Sequence, residues 1–251
     1  MKKLHNFIVN IENISFSYGD RNIFQNFSFK IPKGISLGIL GGNGTGKTTL
    51  IKLIAGIEKS KSGKIHIFDN QNLSEVQSKI GYMPQQNALY NDLSVFDNLD
   101  FFASMYGIRD KKAKLDNIDS ALQTVDLWDR KNDPVSILSG GMQRRVSLAC
   151  VLVHKPDFIL LDEPTVGLDP DIRVSFWQYF KKLTNEGKTL FITSHTMDDA
   201  MHCDRLIFIK NGRIIAEDTP ENLILSTDKP NSTLEDAFIY FNSKGYINDS
   251  K

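Results

Sequence analysis

Cysteine is nearly absent: Cys150 and Cys203 are the only two. They stand in no metal-holding or redox spacing, and their expected place is buried or half-buried in a reducing cytosol. Net charge is absent as well, with 30 Lys+Arg against 30 Asp+Glu. That balance disfavours a broad nucleic-acid-binding surface and leaves room only for a local basic patch. No apolar run reaches the roughly 18 residues of a membrane-spanning helix; Phe158–Leu161 and Leu206–Ile209 are strand-sized. Met1-Lys2-Lys3 is followed by no apolar signal region, because Asn6, Asn10, Glu12 and Asn13 interrupt it. There is no internal repeat and no low-complexity linker. The expectation is a soluble, cytoplasmic chain that serves a membrane, if at all, through another polypeptide.

What is present is an ordinary globular composition: 251 residues, 41% hydrophobic and 24% charged. At roughly 100–200 residues per domain this is one large domain or two small ones, long enough for a core without disulfide or metal staples. Residues 7–11 and 26–31 are rich in β-formers, and Ile35–Leu40 reads as a buried strand. Glycines follow, then an apolar-periodic helix over about 47–55 that Gly56 stops. Short strands are expected at 64–68 and 80–83. A helix starts at Ser94, whose spacing to Asp97 is that of a capping box, with Leu99, Phe102, Ala103 and Tyr106 as its apolar stripe. Helical character continues through 110–130 and 141–154. Strands return at 157–161 and 188–193, with a helix from Pro170 to Gly187 between them. Leu206–Ile215 reads as a hairpin across Asn211-Gly212. Thr219-Pro220-Glu221 starts a last helix before the tail.

Gly41-Gly42-Asn43-Gly44-Thr45-Gly46-Lys47-Thr48 matches the phosphate-loop pattern G-x-x-x-x-G-K-[ST]. Glycines let backbone N–H groups turn around phosphate oxygens, and the following helix adds its positive end. In such a loop Lys47 reaches the β- and γ-phosphates and the Thr48 hydroxyl ligates Mg²⁺, with Thr49 beside it. Phe158–Leu161 runs into Asp162-Glu163. The C-terminal edge of such a strand is where an α/β sheet binds ligands. Asp162 is expected to hold Mg²⁺ directly or through water. Glu163, on the opposite face of the strand by its period of two, is expected to polarise the attacking water as a general base. Leu138-Ser139-Gly140-Gly141-Met142-Gln143-Arg144-Arg145 offers a hydroxyl, two glycine N–H groups and a helix N-terminus, a second anion site. A second such site beside a phosphate loop suggests a nucleotide sandwiched between two subunits.

On these residues the chain resembles the ATP-binding subunit of ATP-binding-cassette (ABC) transporters, over about residues 7–225. The resemblance implies an α/β fold: a P-loop NTPase with a RecA-like core, an antiparallel β subdomain, an inserted α-helical subdomain at about 87–155, and a short helical tail over 226–251. It implies that Tyr18, in Ser15-Phe16-Ser17-Tyr18-Gly19, stacks on adenine. Gln85, in Gly81-Tyr82-Met83-Pro84-Gln85, would sense Mg²⁺ and the attacking water. Glu163-Pro164-Thr165 with Gly167-Leu168-Asp169-Pro170 would run from the catalytic glutamate to a loop crossing the dimer, and His195 would contact the γ-phosphate. Taken alone, Tyr18 reads as a core or edge-strand aromatic, Gln85 as a solvated turn residue and His195 as a backbone partner; their joint order carries the resemblance. Gly42, where the family often has proline, and Gln86, where an acid or histidine is common, are the departures, and neither touches a group expected to do chemistry.

The resemblance further implies a head-to-tail dimer, of two copies or with a paralogue, with each ATP between one chain's phosphate loop and the other's Ser139–Gly141. A permease on a separate chain would be its membrane partner, docking near Leu89, Tyr90 and Phe96, and its place the cytoplasmic face of the membrane. Gly141–Arg145, Thr193–Ala200, Gly212–Ala216 and Ser232–Phe238 lean toward the branch that energises exporters. Importer cassettes more often carry a C-terminal regulatory domain, for which about 25 residues leave no room. The alternatives are an importer ATPase, a soluble ABC ATPase of nucleic acid or the ribosome, and an iron–sulfur assembly ATPase. One phosphate loop, no heptad run and neutral charge speak against nucleic acid, and a plain nucleotide kinase leaves Ser139–Gly141 unexplained.

Overall fold

The computed structural model describes residues 6–70, 72–227 and 229–244. Two long antiparallel strands, β1 (Phe7–Tyr18) and β2 (Arg21–Pro32), turn at Gly19-Asp20. With β4 (Ser62–Ile67) on the other edge of β1 they form a sheet of order β2-β1-β4. Phe24, Phe27, Phe29 and Ile31 of β2 are buried against it.

The second sheet contains β3 (Ser36–Leu40), β5 (Ile80–Met83), β6 (Phe158–Asp162), β7 (Thr189–Ser194), β8 (Arg205–Lys210) and β9 (Arg213–Asp218), in the order β5-β6-β7-β3-β8-β9. Every neighbour pair is parallel except the β8–β9 hairpin. Both faces are covered, which is why these strands are almost continuously apolar. Phe158, Leu160, Phe191, Ile207 and Ile209 pack with the three-stranded sheet and with Leu50 and Ile54 of α1 (Lys47–Ile54). The alternate residues Ile159, Leu161, Leu190, Ile192, Leu206 and Phe208 face the other helices. The register pairs Leu40 with Ser194 and Asp162 with Thr193. The C-terminal ends of β3, β6 and β7 therefore meet at one edge.

Three helices are inserted between β5 and β6: α2 (Val95–Met105), α3 (Lys111–Thr124) and α4 (Gly140–Leu152). Each has an N-cap side chain accepting a first-turn N–H: Ser94 from Asp97, Asp110 from Ala113, Ser139 from Met142. Leu99, Ala103, Ile118, Leu122, Val146 and Ala149 make a core continuous with the sheet's second face. Phe102 is only partly buried. After β6 come α5 (Pro170–Asn185), α6 (Met197–Ala200) and α7 (Pro220–Leu225), which starts at the expected Thr219-Pro220. A further helix, α8 (Leu234–Lys244), follows it. Phe238 and Phe241 of α8 pack edge-on against Phe208, so the tail helix is part of the core. Both thiols are buried and free.

The hairpin turn Asn211-Gly212 has positive φ at both residues, 50° and 70°, as a twisted two-residue turn requires. A Cβ at Gly212 would lie 1.9 Å from the Ile23 carbonyl oxygen of β2. Gly212→Ala therefore meets both left-handed strain and a backbone clash, and should lower unfolding free energy by about 2 kcal/mol or more in urea titration.

His154, just past α4, stacks on Tyr106 with ring centroids 3.6 Å apart, and its Nε2 donates to the Ile80 carbonyl at 3.1 Å. Burial pushes its pKa down to about 4, partly opposed by that hydrogen bond. The imidazole is thus neutral when folded, whereas unfolded it titrates near 6.5. Between those values the unfolded chain binds more protons, so stability falls as pH drops through the window. His154→Gln should flatten the dependence of urea-unfolding stability on pH between about 6.5 and 4 by up to one proton.

Candidate active site

The segment joining β3 to α1 is the glycine loop. Gly44 and Gly46 have φ of 76° and 108°, which side chains other than glycine rarely adopt. Gly46 is the N-cap of α1, with no side-chain cap and no acidic residue in the first turn, so the positive end of the helix is uncompensated. Lys47 Nζ donates to the carbonyls of Gly41 at 2.7 Å and Gly42 at 3.1 Å. Burial lowers its pKa, against the pull of Glu163 and Asp162. A cavity of about 430 Å³ opens over the loop, lined by Tyr18, Arg21, Asn43, Gly44, Gly46, Lys47, Thr48, Thr49, Gln85 and Glu163. Tyr18 is 44% exposed and its hydroxyl donates to Glu58 at 3.2 Å. The β subdomain thus presents an aromatic face at the rim of the phosphate cradle.

Asp162, at the end of β6, is 1% exposed. Its Oδ1 accepts from Thr193 Oγ1 at 2.5 Å and Thr48 Oγ1 at 3.3 Å, and its Oδ2 is buried without a partner. Desolvation raises its pKa, opposed by the two threonine hydrogen bonds. A buried carboxylate oxygen with no donor, next to a hydroxyl that follows a phosphate-loop lysine, suits a hard divalent cation that prefers oxygen ligands. The residues present therefore fit Mg²⁺.

Glu163 departs from the strand alternation expected of it. β6 ends at Asp162, and Glu163 turns out of the strand with φ 51°. Its N–H donates to the carbonyl (3.2 Å) and the hydroxyl (2.9 Å) of Thr193, which hold this left-handed turn. The turn brings its carboxylate into the same cavity as Lys47, so alternation gave the wrong geometry for a residue that no longer belongs to the strand. Gln85 Nε2 donates to Glu163 Oε2 at 2.9 Å, and His195 Nδ1 lies 3.4 Å from Oε1. Gln85 touches Glu163, and no contact joins it to Asp162 among the described residues.

Ser139, Gly140, Gly141 and Asp169 do not line this cavity. Ser139 and Gly140 are exposed at the start of α4, and Asp169 is exposed at the start of α5. Tyr90, Phe101 and Met105 are exposed at 48%, 41% and 58%, while Leu89 and Phe96 pack against the core.

Two residues of the site were not singled out from sequence. Thr193 binds Asp162 and Glu163 at once, a role that follows from the β6–β7 register. Arg144 is 5% exposed. Its Nε donates to the Pro164 carbonyl, Nη1 to the carbonyls of Pro84 and Gln85 and to Asn87 Oδ1, and Nη2 to the carbonyls of Asp162 and Glu163. Arg144-Arg145 standing directly before the apolar stretch Val146-Ser147-Leu148-Ala149-Cys150 on a helix is the signal the sequence offers.

The family model described as ABC transporter matches residues 24–166. ABC transporter G family member 23 of Dictyostelium discoideum is 37% identical over 93% of this chain, which spans only 33% of that relative's length. The linearmycin resistance ATP-binding protein LnrL of Bacillus subtilis is 38% identical over 84% of this chain and 69% of its own. A solved dimeric ATP-binding cassette, MJ0796 in a post-hydrolysis state bound to ADP and Pi, superposes with a TM-score of 0.77 at 27% identity, over 84% of this chain and 98% of that one. With the glycine loop, the buried aspartate and the Gln85–Glu163–His195 cluster in place, these matches show that the chain belongs to the ABC transporter family, as an ATP-binding cassette.

Proposed function

We propose that this chain hydrolyses ATP to power export through a permease on a separate polypeptide, from the cytoplasmic face of a membrane. The observation that carries the reading is the Glu163 carboxylate, held by Gln85 on one side and His195 on the other at the mouth of the phosphate cradle. There it accepts the proton of the water that attacks the γ-phosphorus. The new P–O bond forms as the bond to the ADP oxygen breaks, and His195 contacts the γ-phosphate. Lys47, the loop N–H groups and the α1 N-terminus balance the phosphate charge. Thr48 and Asp162, with Gln85 at the cavity side, are the residues that would hold Mg²⁺, which supplies neutralisation of the phosphate oxygens. Tyr18 stacks on the base.

Ser139–Gly141 and Asp169 serve the nucleotide of a second cassette, since they stand outside this chain's own cavity. ATP then closes the pair and hydrolysis reopens it. We assign residues up to about 225 to the cassette and the rest to its tail. Exposed Tyr90, Phe101 and Met105 on the helical insertion offer the permease an apolar contact. The direction of transport rests on a relative named for Nod factor export.

Glu163→Gln should lower kcat by roughly 10²–10⁴ while leaving ATP binding intact and accumulating an ATP-bound dimer in size-exclusion chromatography; turnover at the wild-type rate would overturn the assignment. Tyr18→Ala should weaken ATP binding by about tenfold or more, the worth of one base–aromatic stack, with kcat unchanged. An equal fall in kcat would instead place Tyr18 in the chemistry.

A further inference from the structure

We propose that Arg144 is the positioning residue through which a nucleotide held against Ser139–Gly141 is felt at this chain's own Glu163. The inference rests on the reading above, in which those three residues face the nucleotide of the second cassette. Ser139 caps α4, and Arg144 lies on the same helix little more than a turn further on. Its guanidinium leaves the helix and ends between two separate segments. On one side are the carbonyls of Pro84 at 2.8 Å and Gln85 at 3.0 Å. On the other are those of Asp162 at 2.8 Å, Glu163 at 2.7 Å and Pro164 at 3.2 Å. The two members of the Gln85–Glu163 hydrogen bond thus hang by their backbones from one planar group.

The geometry makes this more than a staple. A guanidinium presents five N–H donors in a fixed fork, and here every nitrogen is engaged. Such a group follows one segment only by giving up its hydrogen bonds to the other. Glu163 is also held in a left-handed backbone conformation that costs energy and persists only where its surroundings impose it. A phosphate that draws the N-terminus of α4 toward itself moves a rigid helix, and with it the carbonyls that set the aim of the Glu163 carboxylate. Each cassette would then read the occupancy of the other cassette's nucleotide at its own general base.

The test measures initial ATPase rate against ATP concentration for the wild-type chain and for Arg144→Lys and Arg144→Gln, with trinitrophenyl-ATP binding and thermal unfolding on the same preparations. Lysine keeps the charge but not the fork; glutamine keeps a planar donor without charge. Wild type is expected to hydrolyse cooperatively, with a Hill coefficient above 1 and at most the two sites' worth. Both variants are expected to bind trinitrophenyl-ATP within about twofold of wild type, to lose at least tenfold in kcat and to fall to a Hill coefficient near 1. Retained cooperativity in a folded variant would overturn the proposal, as would a non-cooperative wild type or failure of both variants to fold, since Arg144 would then be a structural staple alone. A wild-type chain that binds trinitrophenyl-ATP yet never hydrolyses ATP would instead sink the ATPase reading beneath it.

Discussion

The geometry of the site turns on one buried carboxylate. Asp162 ends a fully buried strand and is 1% exposed, yet only one of its oxygens has hydrogen-bond donors. A buried acceptor left unpaired costs about 1–3 kcal/mol, a cost that packing alone does not recover. What surrounds Asp162 is arranged around that cost. β7 is registered so that Thr193 stands beside it, and α1 begins so that Thr48 does. The raised pKa expresses the same fact, since desolvation outweighs both hydroxyl donors. A cation held at the open oxygen would reverse the balance, and the glycine loop adjoins that point.

Left-handed backbone also occurs at this edge of the sheet. Gly44, Gly46 and Glu163 all have positive φ. The glycines adopt it without a Cβ penalty, whereas Glu163 does not. Thr193 and Arg144 hold it there: one takes the Glu163 N–H, the other its carbonyl. Because its amide is fastened on both sides, the Glu163 side chain leaves the strand with a defined direction. The general-base role proposed for Glu163 needs hydrogen-bond reach to the attacking water, and a fastened backbone would supply it better than a free loop.

Much of this was legible in the sequence, for identifiable reasons. Phe158–Leu161 read as a buried strand because both faces of a parallel sheet are covered, and Lys188–Thr193 read as a strand. Ser94 and Thr219 read as helix starts because capping is local chemistry, and both cap as expected. Asn211-Gly212 read as a hairpin turn for the same reason. The glycine loop was legible because backbone geometry restricts which residues can form it. What escaped was set by register and depth. Alternation placed Glu163 on the far face because periodicity carries no information about where a strand stops. Thr193 and Arg144 escaped because their partners are backbone and side-chain groups as many as 60 residues away in sequence.

The anchoring differs between the two ends of the cavity. At the phosphate end, buried polar groups tie the elements together in pairs. Arg144 joins α4 to the Gln85 and Glu163 segments, and Asp199 accepts from Thr165 at 2.5 Å and from the Trp177 indole at 2.9 Å. The second link fastens the loop between Glu163 and Asp169 to α6, which begins just past His195 after the N-cap Thr196. At the other end, Tyr18 and Arg21 reach the cavity through exposed hydrogen bonds to Glu58 and to the Gly44 carbonyl. Buried networks are rigid and costly to break, whereas exposed ones exchange with water at little cost. The distribution suits the two tasks proposed for these ends. Stacking on a base tolerates small displacements, while in-line attack on phosphorus loses orders of magnitude to a 1 Å error. Of the two ends, the one where that error would be made has the buried polar bonds.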